Sequence, residues 1–261
     1  MDLNGVPAPY VLEDEDFLSW YERWLDELVA GYDVTWFGDK IPGDEARLLG
    51  ILSDDPSAHR RARAARSLGT LPAISATGVR GLAAAAADED PLVREAALSV
   101  GWRQKAPGLE PAARARLADP EAPVRAAVIG FLRALGVSDL AEQARVLLGD
   151  PDRGVRQRAM QALADTGTMT VVDLAPLVTG PDAGSREFAT YCLAQARGPA
   201  ADLLAGALDD DDPRVRRQAV QTAEKRGERT LLQAMRRMLE TETDAYVRTN
   251  LNRVITAWMR G

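Results

Sequence analysis

The stretch DDPRVRRQA at residues 211–219 decides the fold of this chain. Pro213 suits the first turn of a helix, because the N–H that proline lacks would have no partner there. Asp212 beside it can cap free backbone N–H groups and favours the positive end of the helix dipole. Apolar residues follow from Val215 at helical spacing. The stretch therefore predicts a tight turn and the start of a helix.

The same motif returns along the chain at a nearly constant interval. Residues 90–94 read DPLVR, and shorter copies occur further on. We took the arginine, or its equivalent, as the anchor of each copy: His59, Arg94, Arg125, Arg156, Arg186, Arg216 and Arg248. The intervals are 35, 31, 31, 30, 30 and 32 residues. Such a period is typical of stacked helix pairs, so we predict about seven pairs over residues 44–261.

These units resemble HEAT repeats, particularly the short type found in bilin-lyase-like proteins, over roughly residues 44–260. The resemblance implies an all-α fold, a right-handed α-α superhelix whose second helices line the concave face. It also implies a ladder in which the arginine of one repeat pairs with the turn aspartate of a neighbour. The expected ladder residues are Arg94, Arg125, Arg156, Arg186, Arg216 and Arg248. An arginine-to-histidine replacement at His59 would explain the degenerate first copy.

Residues 1–43 form an acidic segment of a different kind, predicted to contain one amphipathic helix. Its apolar side chains, including Trp24 and Leu28, fall on one helical face. Residues 17–26 resemble the C-terminal helix of the SUKH immunity superfamily, which neutralises bacterial polymorphic toxins. The other interpretation is that the helix caps the open end of the repeats, since terminal repeats need a cover. The two interpretations are compatible.

Composition bounds the setting in which the chain works. The net charge is −7, but residues 1–45 carry −10 and residues 46–261 carry +3. The chain has one cysteine, so no intramolecular disulfide can form, which fits a reducing cytosol. It begins without a basic and apolar signal sequence, and its longest uniform apolar stretch, residues 82–87, cannot span a bilayer. We therefore expect a cytoplasmic protein, bacterial by its arginine and alanine usage, with no membrane partner.

Reactive side chains are too sparse and too scattered to predict an enzyme. His59 is the single histidine and Cys192 the single cysteine, about four repeats apart. That separation excludes a Cys–His dyad and a His/Cys zinc site within a repeat array. The acidic run at residues 209–212 lies at an inter-helix turn, where helix capping explains it. We expect a non-enzymatic chain with no cofactor and no metal site.

The inner surface of the second helices is then the predicted functional site. Positions 2, 3, 6 and 10 after the valine of each motif should face away from the core between the two helices. In the first predicted pair, these positions of the second helix are Arg60, Arg61, Ala64 and Leu68. The predicted partner-binding residues are Arg158, Gln161, Glu187, Phe188, Tyr191, Arg217, Gln218 and Gln221. Aromatics flanked by arginine and glutamine are typical of interface hot spots. The alternative for Phe188 and Tyr191 is burial in the core.

Three functions follow from this surface and this fold. The first is a monomeric, non-catalytic scaffold that binds a protein of unknown identity, in a narrower form an immunity or toxin-associated protein. The second is nucleic-acid binding, as in the HEAT-like alkylpurine DNA glycosylases, with Glu187, Phe188 and Tyr191 as the inward carboxylate and aromatics. The third is a bilin lyase-like protein, which rests on the resemblance of the repeats alone.

Overall fold

The computed structural model describes Tyr21, Leu25, Lys40, Ile41 and residues 43–260. Apart from those four positions and Gly43, the predicted N-terminal segment 1–43, with its SUKH-like stretch 17–26, lies outside the described residues. Its helix, its capping role and its link to immunity proteins therefore stay predictions. The described part of the chain contains fourteen α-helices, two short 3-10 helices and no β-strand.

The helices fall into two compact units, Met1–Leu135 and Gly136–Gly261. The helices of the first unit are α1 (Glu45–Asp54), α2 (Ala58–Leu68), α3 (Ala76–Ala85), α4 (Pro91–Gln104), α5 (Glu110–Arg114) and α6 (Ala122–Leu135). Those of the second are α7 (Leu140–Leu147), α8 (Arg153–Thr166), α9 (Val171–Val178), α10 (Ala183–Cys192), α11 (Ala201–Leu208), α12 (Pro213–Arg226), α13 (Leu232–Thr241) and α14 (Ala245–Arg260). Each odd-numbered helix packs against the even-numbered helix that follows it. The predicted seven helix pairs are confirmed.

The second helices of successive pairs also pack against one another within each unit. In the first unit, α4 contacts both α2 and α6. In the second unit, α10 contacts both α8 and α12, and α12 contacts α14. A continuous row of second helices therefore forms one side of each unit.

The turn motif works locally as the sequence predicted. The side chain of Asp212 accepts a hydrogen bond from the backbone N–H of Arg214 at 2.8 Å, and Pro213 is the first residue of α12. Asp90 caps α4 in the same way, at 2.8 Å from the N–H of Leu92. A helix cap of this kind contributes about 1 kcal/mol.

The valine of the motif belongs to the core. Val93, Val124, Val155, Val215 and Val247 each have 0% of their surface exposed. Burying a side chain of this size contributes roughly 1.5–3 kcal/mol. One buried valine near the start of five of the seven second helices fixes which face of each helix turns inward.

The arginine of the motif ties its own turn to the next repeat. In the second unit, Nη1 of Arg186 donates to the carbonyl oxygens of Gly180 and Pro181, each at 3.0 Å. Its Nε and Nη2 donate to the two carboxylate oxygens of Asp210, at 2.7 and 2.9 Å. Arg216 makes the same arrangement with Glu242. These contacts join the turns that precede successive second helices.

Arg94 shows the ladder geometry in the first unit. Its Nε and Nη2 donate to Asp119, both at 2.9 Å, and Nη1 donates to the carbonyl oxygens of Asp88 and Glu89. Arg125 likewise donates from Nη1 to the carbonyl oxygens of Asp119 and Pro120.

Arg156 in the second unit departs from the common pattern. Its Nη2 donates to Oγ of Ser185 at 2.7 Å and to Oδ2 of Asp182 at 3.4 Å. Gly180 occupies the position that supplies the acceptor carboxylate in the other turns, three residues before α10. The guanidinium group therefore reaches the N-cap residue of the helix instead.

The first anchor of the repeat was placed two residues too early. Arg61, and not the equivalent of His59, makes the ladder contacts: Nη1 donates to the carbonyl oxygens of Asp55 and Pro56, and Nε and Nη2 donate to Asp88 at 2.9 and 2.8 Å. The first interval becomes 33 residues instead of 35. The Asp-Pro pair misled the assignment because Asp55 and Pro56 stand where Asp88 and Glu89 stand in the next copy, and Ser57, not Asp55, is the N-cap of α2.

A glycine also allows close helix packing in the first unit, at Gly101. It lies inside α4, which continues to Gln104, with Lys105 in the left-handed conformation at φ 47°. A Cβ at Gly101 would collide with Leu109 and lie 3.2 Å from the ring of Phe131. The glycine is therefore a site of close helix packing and not a stop.

Candidate partner-binding surface

The eight predicted partner-binding residues lie on three successive second helices of the second unit. Arg158 and Gln161 lie on α8, the glutamate and both aromatics on α10, and Arg217, Gln218 and Gln221 on α12. All eight are exposed or half-buried. We call this set the second-helix surface. The spacing argument thus brought together residues on neighbouring, packed helices.

Two aromatic rings occupy the middle of the second-helix surface. The ring centroids of Phe188 and Tyr191 lie 6.0 Å apart, with the ring planes inclined by 32°. Tyr191 is 46% exposed and Phe188 is half-buried. Burial of both rings in the core, the alternative interpretation, is wrong for Tyr191. A tyrosine that rests on a partly buried phenylalanine offers a rigid apolar contact at low entropic cost.

An ion pair lies beside the aromatics and links two helices. Nη2 of Arg217 on α12 lies 3.7 Å from Oε1 of Glu187 on α10. Both side chains are partly exposed, so the pair contributes at most about 1 kcal/mol. The Glu187 carboxylate is therefore partly neutralised on this surface.

Two other cationic side chains lie on the helices of this surface, Arg158 on α8 and Lys225 on α12. Arg158 and Lys225 are exposed, and no described residue forms an ion pair or hydrogen bond with either side chain. The amides of Gln161 and Gln221 likewise have no hydrogen-bond partner in the described part of the chain. The second-helix surface therefore offers excess positive charge and free amide groups around an aromatic centre.

Hydrogen bonds beneath the surface fix α10 against α12. Oγ1 of Thr222 donates to the carbonyl oxygen of Thr190 at 3.0 Å and accepts from the amide of Gln218 at 3.1 Å. Arg226 donates from Nη1 to the carbonyl oxygens of Leu193 and Ala196, at 2.7 and 2.8 Å. These contacts hold the two helices in register and so preorganise the residues above them.

Sequence reasoning did not single out Arg226 or Thr222 for this supporting role. Both residues fit the helical spacing of α12, but their residue types do not predict a hydrogen bond to a carbonyl oxygen of the preceding repeat. A second ion pair was also missed: Arg253 on α14 lies against Glu224 on α12, with 2.7 Å between Nη2 and Oε2. The signal that could have found it is the opposite charge of two residues 29 positions apart.

The outward-facing positions predicted for α2 are wrong. Arg60, Arg61, Ala64 and Leu68 are all buried, the last two with 0% exposure. The reason is the misplaced anchor at His59, which shifts the helical register by two residues and turns core positions outward. Arg60 instead donates from Nε to Asp55 at 2.9 Å.

Cys192 and the acidic run at residues 209–212, which the sequence analysis considered as reactive or metal-binding groups, are buried or take part in contacts that hold the fold. Cys192 is 3% exposed, and burial raises the pKa of its thiol to about 12. In the acidic run at residues 209–212, Asp210 accepts from Arg186 and Asp212 caps α12. No group of three or more metal-ligating side chains occurs among the residues that the structure describes. Within the same residues, no helix has the length and apolar character needed to cross a membrane.

Comparison with known proteins identifies the repeats. Residues 171–255, from α9 into α14, match the family model for HEAT repeats. These residues carry HEAT repeats. The prediction made from the turn motif is thus confirmed, and the matched residues contain the aromatic centre and the α12 part of the second-helix surface. Comparison with curated protein sequences finds no match.

Solved structures extend this likeness to most of the chain. The Escherichia coli protein YibA aligns with 94% of this chain and 89% of its own, at 19% identity and a TM-score of 0.63. The CpcE–CpcF complex of phycocyanin lyase from Nostoc sp. PCC7120 aligns with 86% of this chain and 99% of its own, at 18% identity and 0.50. The predicted fold class, an all-α superhelix of HEAT-like pairs, is confirmed.

A third solved structure is a far longer protein. The Schizosaccharomyces pombe condensin Cnd3–Cnd2 subcomplex aligns with 82% of this chain but only 33% of its own, at 16% identity and a TM-score of 0.53. At these identities the three likenesses describe the fold alone.

Proposed function

We propose that the chain is a non-catalytic scaffold that binds another protein through the second-helix surface. The observation that carries this proposal is the pair of the half-buried Phe188 and the exposed Tyr191, with the cations Arg158 and Lys225 on the two neighbouring second helices. Aromatic anchors with arginine around them are the residues that most often dominate binding energy at interfaces. Two of the solved structures with a similar fold, the CpcE–CpcF complex of phycocyanin lyase and the condensin Cnd3–Cnd2 subcomplex, are assemblies of two proteins, which supports the same class of function.

The charge on the second-helix surface indicates what kind of partner it suits. The free cations favour a segment that carries acidic side chains, and the free glutamine amides can pair with its backbone. Charge complementarity of this kind raises the association rate and sets the register of binding. The buried Cys192 thiol, protonated at neutral pH, does not offer a nucleophile beside the site. Binding without catalysis is therefore the function that we propose.

Affinity capture with matched variants tests the proposal. The wild-type chain and the double variant Phe188→Ala/Tyr191→Ala are immobilised and exposed to a bacterial lysate, and captured proteins are identified by mass spectrometry. The control is Val146→Ala/Val172→Ala, which removes two exposed apolar side chains, 74% and 81% exposed, elsewhere in the second unit. Circular dichroism checks that all three are folded.

We expect one protein that the wild type and the control retain and the double variant loses. When it is purified, its affinity for the double variant should be lower by about thirtyfold or more, the size of a hot-spot effect. Equal capture by the double variant would contradict the proposal. Retention of DNA or RNA at low salt, lost in the double variant, would assign the surface to nucleic acid instead.

A further inference from the structure

Arg248, the last ladder arginine of the described chain, donates hydrogen bonds from Nη1 but not from Nε or Nη2 within the described residues. Nη1 of Arg248 donates to the carbonyl oxygens of Glu242 and Leu239, at 2.7 and 3.0 Å. The bond to Glu242 repeats one that Nη1 makes in the other ladder arginines, to the carbonyl oxygen six residues earlier, whereas the bond to Leu239 replaces the usual one five residues earlier. Among the residues that the structure describes, however, no carboxylate pairs with its Nε and Nη2. The exposed group is a preoriented fork without an acceptor.

Four other forks of the same kind define what Arg248 is built to accept. Each donates from Nε and Nη2 to both oxygens of one carboxylate, at 2.7–2.9 Å. The pairs are Arg61 with Asp88, Arg94 with Asp119, Arg186 with Asp210 and Arg216 with Glu242. Bidentate pairing of this type matches the planar guanidinium to a carboxylate and is stronger than a neutral hydrogen bond.

The four acceptor carboxylates occupy one position in their own turns. Each lies three residues before the first residue of a second helix, as Glu242 lies before Ala245. Each also accepts a hydrogen bond from the backbone N–H two residues further on, at 2.9–3.0 Å. The fork therefore recognises a carboxylate that the N-terminal turn of a helix already holds in place.

The surroundings of Arg248 suit such a helix. Helix α14 contains three arginines and no acidic residue. Met259, about three turns after Arg248 on the same side of this helix, is 61% exposed and offers apolar contact. Arg260 adds positive charge at its end. An approaching acidic turn would meet complementary charge together with uncovered apolar surface.

We propose that α14 is a docking surface for a partner protein that presents a helix with Asp or Glu three residues before its first residue. This surface is separate from the second-helix surface and does not depend on its function. The occupant continues the stacking that joins α12 to α14, with its carboxylate on Nε and Nη2 of Arg248 and its helix against Met259.

A peptide probe from this chain tests the docking surface. The probe copies residues 208–226, which carry Asp210 and all of α12, and which satisfy the fork of Arg186 within the chain. It is titrated to millimolar concentration into the full chain labelled with nitrogen-15, and the arginine Nε–H and backbone N–H signals are followed by NMR. We expect saturable shifts at the Nε–H of Arg248 and along α14.

Matched changes in probe and protein make the test specific. A probe with Asp210→Asn keeps three neighbouring aspartates but removes the acceptor, and its binding should weaken about tenfold or more, the size of a charged hydrogen-bond effect. Arg248→Lys keeps the charge without the fork and should weaken binding similarly, as should Arg248→Ala. Arg260→Ala, on the same helix, should bind almost as the wild type does. Circular dichroism checks the folding of each variant.

Several results would overturn the proposal. One is the absence of shifts at α14, and another is binding that the Asp210→Asn probe retains. Concentration-dependent self-association of the chain, seen by sedimentation and lost in Arg248→Ala, would assign the fork to a second copy of the chain instead. The Phe188→Ala/Tyr191→Ala variant should still bind the probe, so a failure of the second-helix surface and a failure here are distinguishable.

Discussion

Arg216 on α12 donates two hydrogen bonds to the carboxylate of Glu242, at 2.7 Å from Nε and 2.8 Å from Nη2. The Glu242 side chain is only 2% exposed and that of Arg216 17%. A buried carboxylate is stable in this position only while its charge is paired. The pair therefore makes the turn before α14 depend on a residue in the preceding repeat.

We expect Arg216→Ala to lower the free energy of unfolding of the second unit by about 3 kcal/mol, because it leaves Glu242 buried without its partner. Chemical denaturation of the full chain measures this change. The control is Arg214→Ala, whose exposed side chain pairs with Asp212 near the surface, and which should change stability little. Equal effects of the two substitutions would contradict the ladder as a source of stability.

The corrected first anchor predicts opposite results for two neighbouring residues. Arg61→Ala should destabilise the first unit by about 3 kcal/mol, since Asp88 loses both hydrogen bonds from the guanidinium group. His59→Ala should stay within about 0.5 kcal/mol of the wild type. Thermal unfolding of both variants checks the assignment, and a larger loss from His59→Ala would restore the original anchor.

The Arg216–Glu242 pair also predicts a dependence of stability on pH. The hydrogen bonds from Arg216 hold the pKa of Glu242 below its ordinary value of 4.5. The unfolded chain therefore takes up this proton at a higher pH than the folded chain, so stability is full above about pH 5. It is lost as the pH falls through the folded-state pKa.

Melting temperatures of the wild type and Glu242→Gln at several pH values measure this contribution. The wild type should melt higher at pH 7, and the difference should shrink as the pH falls below 4. A difference that does not change between pH 7 and pH 3 would show that the carboxylate charge plays no part.

Two glycines in the first unit should respond in opposite directions to alanine. Gly101→Ala places a methyl group against the buried Leu109 and Phe131, and this overpacking should cost about 1–3 kcal/mol. Gly50→Ala in α1 meets nothing within 4 Å and should stabilise by about 0.5–1 kcal/mol through helix propensity. Denaturation midpoints measure both, and a stabilising Gly101→Ala would contradict the close packing.

Cys192 should be nearly inert in the folded chain. Burial raises the pKa of its thiol from 9.0 to about 12, which lowers the thiolate fraction at pH 8 roughly a thousandfold. An aromatic disulfide reagent should therefore label the chain slowly in buffer and quickly in denaturant. Rapid labelling without denaturant would show that the pair α9–α10 opens readily.

The sequence contained enough information to predict the repeats but not the register of every repeat. Asp, Pro and Val specify a cap, a first turn and a core residue through local physics, so the six later copies, such as residues 90–94, were assigned correctly. The first copy failed because Asp55 and Pro56 look like the cap and first turn of residues 90–91 but precede the true N-cap, Ser57, and spacing alone cannot distinguish the two alignments. Only the contact with Asp88 does so.

The second-helix surface was predictable to the same extent. Helical periodicity is regular enough to place Arg158, Phe188 and Arg217 on successive helices, and the structure brings their helices together. The depth of each side chain was not predictable, because small rotations of a helix decide whether Tyr191 lies in the core or on the surface. Long-range partners such as Arg226 with the carbonyl oxygen of Leu193 depend on how two repeats stack.

Because each ladder arginine donates hydrogen bonds to its own turn and to the following one, the order in which the second unit unfolds can be predicted. Because Arg186 and Arg216 each hold their own turn with one nitrogen and the following turn with two, much of the polar stabilisation belongs to junctions and not to single helix pairs. Within the described residues, an inner helix pair is joined to its two neighbours by two such junctions, whereas the pair α13–α14 is joined by one. Fraying should therefore start at α14, and hydrogen exchange should be fastest there and slow progressively toward α10.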